Sequence, residues 1–141
     1  MATNGMDQNR LKNMLDAALG TATIVAFVTP PLLRLMTANG SETANGTELG
    51  TSGGYTAGSG VTFGASAFAA ATFSAGSAST SNSNAVTITN MPAATIVAAE
   101  IWDSAATKLR WWFGALTANK TTNAGDTLTF AVGSVTPSFA G

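Results

Sequence analysis

The chain has 141 residues, of which 45% are apolar and only 9% charged, against roughly 25% charged in an average soluble domain. The length suits one domain with its own core, and the shortage of charge suits a chain packed in an assembly better than one that stays soluble alone. Six basic and seven acidic residues form no basic cluster, which argues against nucleic acid as a partner, and with no Cys and no His there are no disulfides, no thiolate metal sites and no imidazole base or ligand.

In chain order, residues 1–6 are small and polar and are expected to be loose. Residues 7–19 read as the one helix. Asp7 is a suitable N-cap, Leu11, Met14, Leu15, Ala18 and Leu19 fall on one apolar stripe, and Gly20 stands at the C-cap position. This helix either lids the sandwich or docks on a neighbouring subunit. Residues 23–29 are β-branched and apolar, as in a strand; Pro30-Pro31 interrupts, and residues 32–37 resume as a strand. Residues 22–36 form the most apolar window, but Pro30, Pro31 and Arg34 break it and it is too short to span a bilayer, so no membrane partner is expected. The N-terminus lacks a basic stretch followed by an apolar run, so no signal peptide is expected. The sequons at Asn39, Asn45 and Asn119 matter only in a secreted eukaryotic setting.

Residues 38–60 read as a long loop or arm anchored by Leu49 and Tyr55, and residues 61–64 as a short strand. Residues 65–83 are an Ala/Ser/Gly stretch in which Phe68 and Phe73 either fold back on the core, the preferred reading, or serve as pegs for a surface. Residues 85–89 and 95–102 read as strands, 103–107 as a turn, and 108–116 as the return of a hairpin. Its alternation sets Leu109, Trp111 and Phe113 against Arg110, Trp112 and Gly114, so one of the adjacent tryptophans is expected to point away from the core. After a turn at 119–125, in which Asp126 and Gly125 shape the backbone, residues 127–132 and 135–139 complete the strands, with Leu128, Phe130 and Val132 on one face. The fold class is therefore mostly β: a single antiparallel β-sandwich over residues 7–141, Ig-like or jelly-roll-like, with one N-terminal helix.

Little in the chain suggests catalysis. The one arrangement of carboxylates to weigh is Glu100 and Asp103, on either side of Trp102 at a strand end, where a saccharide platform could form. A solvated turn is the preferred reading of it. No acidic loop has calcium-ligand spacing. The glycines at 53, 54, 58 and 60 are not followed by the Lys-Ser/Thr start of a phosphate loop, and without histidine the usual hydrolytic triad is impossible. No catalytic residue, metal or cofactor is expected.

The order of motifs is more telling. Glu100-Ile101-Trp102-Asp103 is followed by Leu116-Thr117, Lys120-Thr121 and the run 123–133. Ahead of these lie the helix 11–20, the strand 32–37, Gly53-Gly54-Tyr55, the Val-Thr-Phe-Gly strand 61–64 and the aliphatic strand 95–103. This order resembles a family of small phage virion structural proteins, tail-fibre-like or minor capsid and decoration proteins of actinobacterial-type phages. Pro30-Pro31, residues 65–83 and residues 137–141 depart from its pattern.

The resemblance implies a virion protein, made in the host cytoplasm and carried on the particle surface, that is no enzyme. The reading preferred from sequence is a capsid decoration protein, a homo-oligomer with a trimer favoured, that stabilises the assembled shell by binding the major capsid protein or other virion proteins. The alternative is a tail-fibre or tail-tip component, an adaptor or a binder of host glycan through Trp102 and Trp112. The candidate contact residues are Tyr55, Phe68, Phe73, Trp102 and Trp112.

Overall fold

A computed structural model describes residues 4–140. The chain runs β1 (Asn4–Met6), α1 (Gln8–Ala18), β2 (Leu32–Ala38), β3 (Thr47–Glu48), β4 (Val61–Thr62), β5 (Thr72–Ser74), β6 (Ser77–Ser79), β7 (Val86–Met91), β8 (Ala94–Trp102), β9 (Arg110–Thr122), β10 (Asp126–Phe130) and β11 (Ser138–Ala140). All pairings are antiparallel. The large sheet has the order β1-β9-β8-β2-β3, with β4 also on β2; β10 pairs β7; and β11-β6-β5 form a third, small sheet. The result is a β-sandwich with one N-terminal helix.

One face of the large sheet and the β7–β10 pair enclose the core. Leu33, Leu35, Ile96 and Ile101 meet Val86, Ile88, Met91, Leu128 and Phe130, with Leu49, Tyr55 and Phe63 supplied by the connecting segments. Alternation explains this face: Leu33 and Leu35 of β2 point inward, while Arg34 between them points to the other side.

The helix ends as its sequence dictates. Asp7 is the N-cap, accepting from Asn9 N–H at 2.9 Å. Gly20 takes φ +74, so Gly20 N–H reaches Ala17 O and Thr21 N–H reaches Asp16 O, a Schellman closure.

Several strand expectations need correction. Residues 1–3 of the expected loose terminus lie outside the described residues, but Asn4–Met6 form β1, paired along β9. Residues 23–29 join no ladder, because β2 is already flanked by β8 on one side and by β3 and β4 on the other. That segment is instead tied by Asn13, whose Oδ1 accepts from Val25 N–H, and by Ser104 N–H donating to Val28 O. Inside 65–83 lies a hairpin, β5–β6, turned by Ala75 (φ 49) and Gly76 (φ 78); positive φ at both central residues gives the twist that tight hairpins require. The hairpin return, expected to end at 116, continues as β9 to Thr122. Val132 is exposed, since β10 ends at Phe130.

The tryptophan pair is resolved by a bulge. Ile101 pairs with Trp112, but the next residue, Trp102, pairs with Arg110, which leaves Trp111 as the extra residue. Simple alternation therefore fails here. Trp111 is buried beneath Phe27 at 5.2 Å between ring centres, and Trp112, half-buried, packs against the core.

Candidate functional site

The face of the large sheet opposite the core carries most of the buried charge. Arg34 and Glu100 are cross-strand neighbours, Glu100 is opposite Phe113, and Trp102 is opposite Arg110. The loop 39–46 lies over them. Gly40 fits closely at this spot, where a Cβ would stand 2.8 Å from the Ala44 carbonyl oxygen and 2.7 and 2.8 Å from the buried Glu100 Oε1 and Arg110 Nη1.

Arg110 is the hub. Its Nε and Nη2 donate to Asp7 Oδ2 (3.1 and 2.8 Å), and Nη1 donates to Glu100 Oε1 (3.2 Å) and Ala44 O (2.7 Å). Nη2 also reaches the carbonyls of Ser41 (2.6 Å) and Glu42 (3.3 Å). Glu100, at 0% exposure, also accepts from Gly46 N–H (2.7 Å) and Trp102 Nε1 (2.9 Å). Asp103 accepts from Leu109 N–H (2.8 Å) and Trp111 Nε1 (3.3 Å), which closes the loop between β8 and β9. The solvated turn expected around Glu100 and Asp103 is thus corrected: both carboxylates are buried acceptors. Their lone pairs are occupied by the chain's own donors, so neither faces a substrate.

The candidate contact residues separate clearly. Trp102 is buried beneath the Arg34 guanidinium, 4.0 Å from the ring centre. Tyr55 is buried as well; its hydroxyl donates to Glu48 Oε1 (2.8 Å) and accepts from Leu35 N–H (3.1 Å). Phe68 is half-buried against Phe63. Trp112 meets Phe139 edge-on at 5.6 Å. Phe73 alone among the five presents a free ring, 77% exposed, on β5 at the outer edge of the small sheet.

Tyr55 gives a pH prediction. Burial, reinforced by Glu48 and opposed by the Leu35 N–H, raises its hydroxyl well above the usual 10.0. A folded-state pKa above the unfolded one means that its share of stability is intact below pH 10 and is lost as pH rises beyond it. Tyr55 is the sole tyrosine. The near-ultraviolet phenolate band is therefore expected to stay flat through pH 10 while circular dichroism remains native, and to appear only together with alkaline unfolding. A phenolate step in the folded protein would contradict the buried placement.

Two clefts among the described residues bear on whether chemistry could occur here. One, of about 250 Å³, lies between the core face of the large sheet and residues 134–138, with Trp112, Ile101 and Phe130 in its walls. The other is lined by residues 29–31, 62 and 64–68. Neither is lined by an ionisable side chain. Among the described residues, no group of three or more carboxylates is placed to hold a metal ion, and no helix is long and apolar enough to cross a membrane.

The helix shows what sequence reasoning left open. Its apolar stripe does not lid the sandwich: Leu11, Leu15 and Leu19 are 56%, 61% and 72% exposed. The inward side is instead the one with Arg10, which lies 5.9 Å from the Trp111 ring centre, and Asn13, which holds Thr23 O and Val25 N.

Residues 6–138 match the family described as "Podophage GP4 fiber I protein gp80". The chain belongs to this phage fibre family. It is therefore a phage structural protein and a component of the virion, which the order of its motifs had suggested. The family description names a fibre protein, and nothing in it refers to shell decoration or to phages of actinobacteria. No curated protein matches the chain.

Proposed function

We propose that this chain is a building element of the phage fibre, which acts by packing against other virion proteins and catalyses no reaction. The observation that carries this reading is the fibre-family match over 6–138, which favours the fibre over the shell. The geometry supports a packing role. Five of the thirteen Lys, Arg, Asp and Glu residues are buried, so only eight remain for the surface, and that surface keeps apolar groups such as Phe73 and the helix leucines. The absence of ionisable groups from both clefts argues against acid–base chemistry there. Phe73 is the contact residue we assign to a neighbouring virion protein, because its strand leaves one edge open. Trp102 offers no open ring for glycan stacking, since it is buried and Arg34 covers it.

Gold-labelled antibody on purified virions, with copy number by quantitative mass spectrometry, tests the reading. Label on the fibres and few copies relative to the capsid protein are expected. Label over the head, with copies approaching the number of capsid subunits, would restore shell decoration.

A further inference from the structure

We propose that α1 is a self-association surface, on which two copies of this chain pair helix to helix, antiparallel, about a two-fold axis near Leu15. At 3.6 residues per turn, Leu15 lies at the middle of the outward arc, with Leu11 and Leu19 about 40° to either side of it. All three are more than half exposed. The polar Asn13 is turned inward and fastened to the segment that follows the helix. Amphipathic surface helices normally point their apolar stripe at their own core. This one is held the other way round by hydrogen bonds, by the Asp7–Arg110 ion pair at its N-cap and by the Schellman closure at its end. Single exposed leucines are ordinary, but a continuous row of three is not. Ile24 and Val28, on the segment that Asn13 ties down, are exposed as well.

Charge identifies the occupant. One flank of the leucine row carries Lys12 and Asp16, which are paired within the helix. The other flank carries Ala18 and Met14 and no charge. In an antiparallel pair about a two-fold axis like flanks meet, so Lys12 of each copy faces Asp16 of the other while leucine meets leucine. In a parallel arrangement, such as the trimeric ring expected for a shell protein, the charged flank would meet the uncharged one. The stripe is therefore complementary to itself in one arrangement only. An eleven-residue helix offers less than a standard interface, so the pair is reversible in solution and gains strength where copies are held close together in a particle.

Sedimentation equilibrium of the full chain tests this. The weight-average mass is expected to rise from monomer towards dimer between about 5 and about 200 µM, a range suited to a contact of this size. Leu15→Lys is expected to weaken association at least about tenfold, as loss of the central apolar contact implies, without lowering the thermal midpoint, because Leu15 is exposed in the single chain. Lys12→Glu and Asp16→Lys should each weaken self-association, and mixing the two variants should restore pairing. A change within one helix cannot be repaired by mixing, so the restoration reports contact between copies. A wild-type chain that stays monomeric, a Leu15→Lys variant that associates unchanged, or a mixture that does not recover each overturns the proposal. None of these outcomes bears on where the protein sits in the virion, which the gold label decides separately.

Discussion

Arg110→Leu is expected to lower the unfolding free energy by about 3–5 kcal/mol, the cost of breaking a buried ion pair from one side. Urea denaturation followed by tryptophan fluorescence measures it, with the midpoint falling and the slope little changed. The size follows from what the substitution strands. Asp7 Oδ2 loses both of its guanidinium donors, Glu100 keeps Gly46 N–H and Trp102 Nε1 but loses its cation while fully buried, and the Ser41 carbonyl loses its side-chain donor, whereas the carbonyls of Glu42 and Ala44 lose the guanidinium but keep the backbone N–H groups of Gln8 and Ser41. Leucine fills much of the space and satisfies none of these groups. Arg110→Lys is expected to recover little, because a single ammonium cannot address Asp7, Glu100 and three carbonyls spread around a planar fork. Adding Glu100→Gln to Arg110→Leu should win back part of the loss, since it removes one of the abandoned charges. By contrast, Lys12→Ala breaks only an exposed pair and should cost well under about 1 kcal/mol. If Arg110→Leu behaved like Lys12→Ala, the loop 39–46 would not depend on this guanidinium.

That network marks the boundary of what the sequence shows unaided. Local signals were legible: Asp7 and Gly20 bound the helix, Met91-Pro92 ends β7, and Asp126 accepts from Asn123 N–H at 2.8 Å to shape its turn. Each such feature is decided within a few residues. The Asp7–Arg110 pair joins positions 103 apart, and no local pattern announces it. A signal was nonetheless present. Arg34 stands inside Leu-Leu-Arg-Leu-Met, and Glu100 inside Ala-Ala-Glu-Ile-Trp. A lone charge within an apolar strand needs a partner or is costly to bury, and these two, with Arg110, are the groups that the fold gathers. The extra residue at Trp111 was hidden because bulges leave little trace in composition. The β5–β6 hairpin was hidden because Ala75-Gly76 replaces the Asn-Gly usual at such turns. The outward leucine stripe was the hardest to foresee. Periodicity finds an apolar face, but it does not say whether the chain itself or another chain covers it.

Gly54→Ala is the second large effect, about 3 kcal/mol at the upper end of overpacking costs, or a fall in the thermal midpoint on the order of 10 °C for a chain of this length. Residues 51–55 lie directly on the backbone of β7. Gly54 N–H donates to Asn90 O at 2.7 Å, and a Cβ at position 54 would stand 1.9 Å from Thr89 O. Its neighbour Gly53 has φ +59, and a Cβ there would stand 2.1 Å from Asn90 O. In neither case can the opposing atom move aside like a side-chain end, because it belongs to a strand whose other edge pairs with β10. The clash would lift the segment and pull on Tyr55, which follows it into the core. Gly50→Ala is the matched control: nothing lies within 4 Å of a Cβ there, so the change should be near neutral or slightly stabilising through the unfolded chain. Scanning calorimetry of the two variants decides whether residues 51–55 merely touch β7 or are seated tightly on it. Equal midpoints would mean the first, and a Gly54→Ala variant melting well below Gly50→Ala would mean the second, leaving the helix and the β5 edge, rather than this loop, as the surfaces open to a partner.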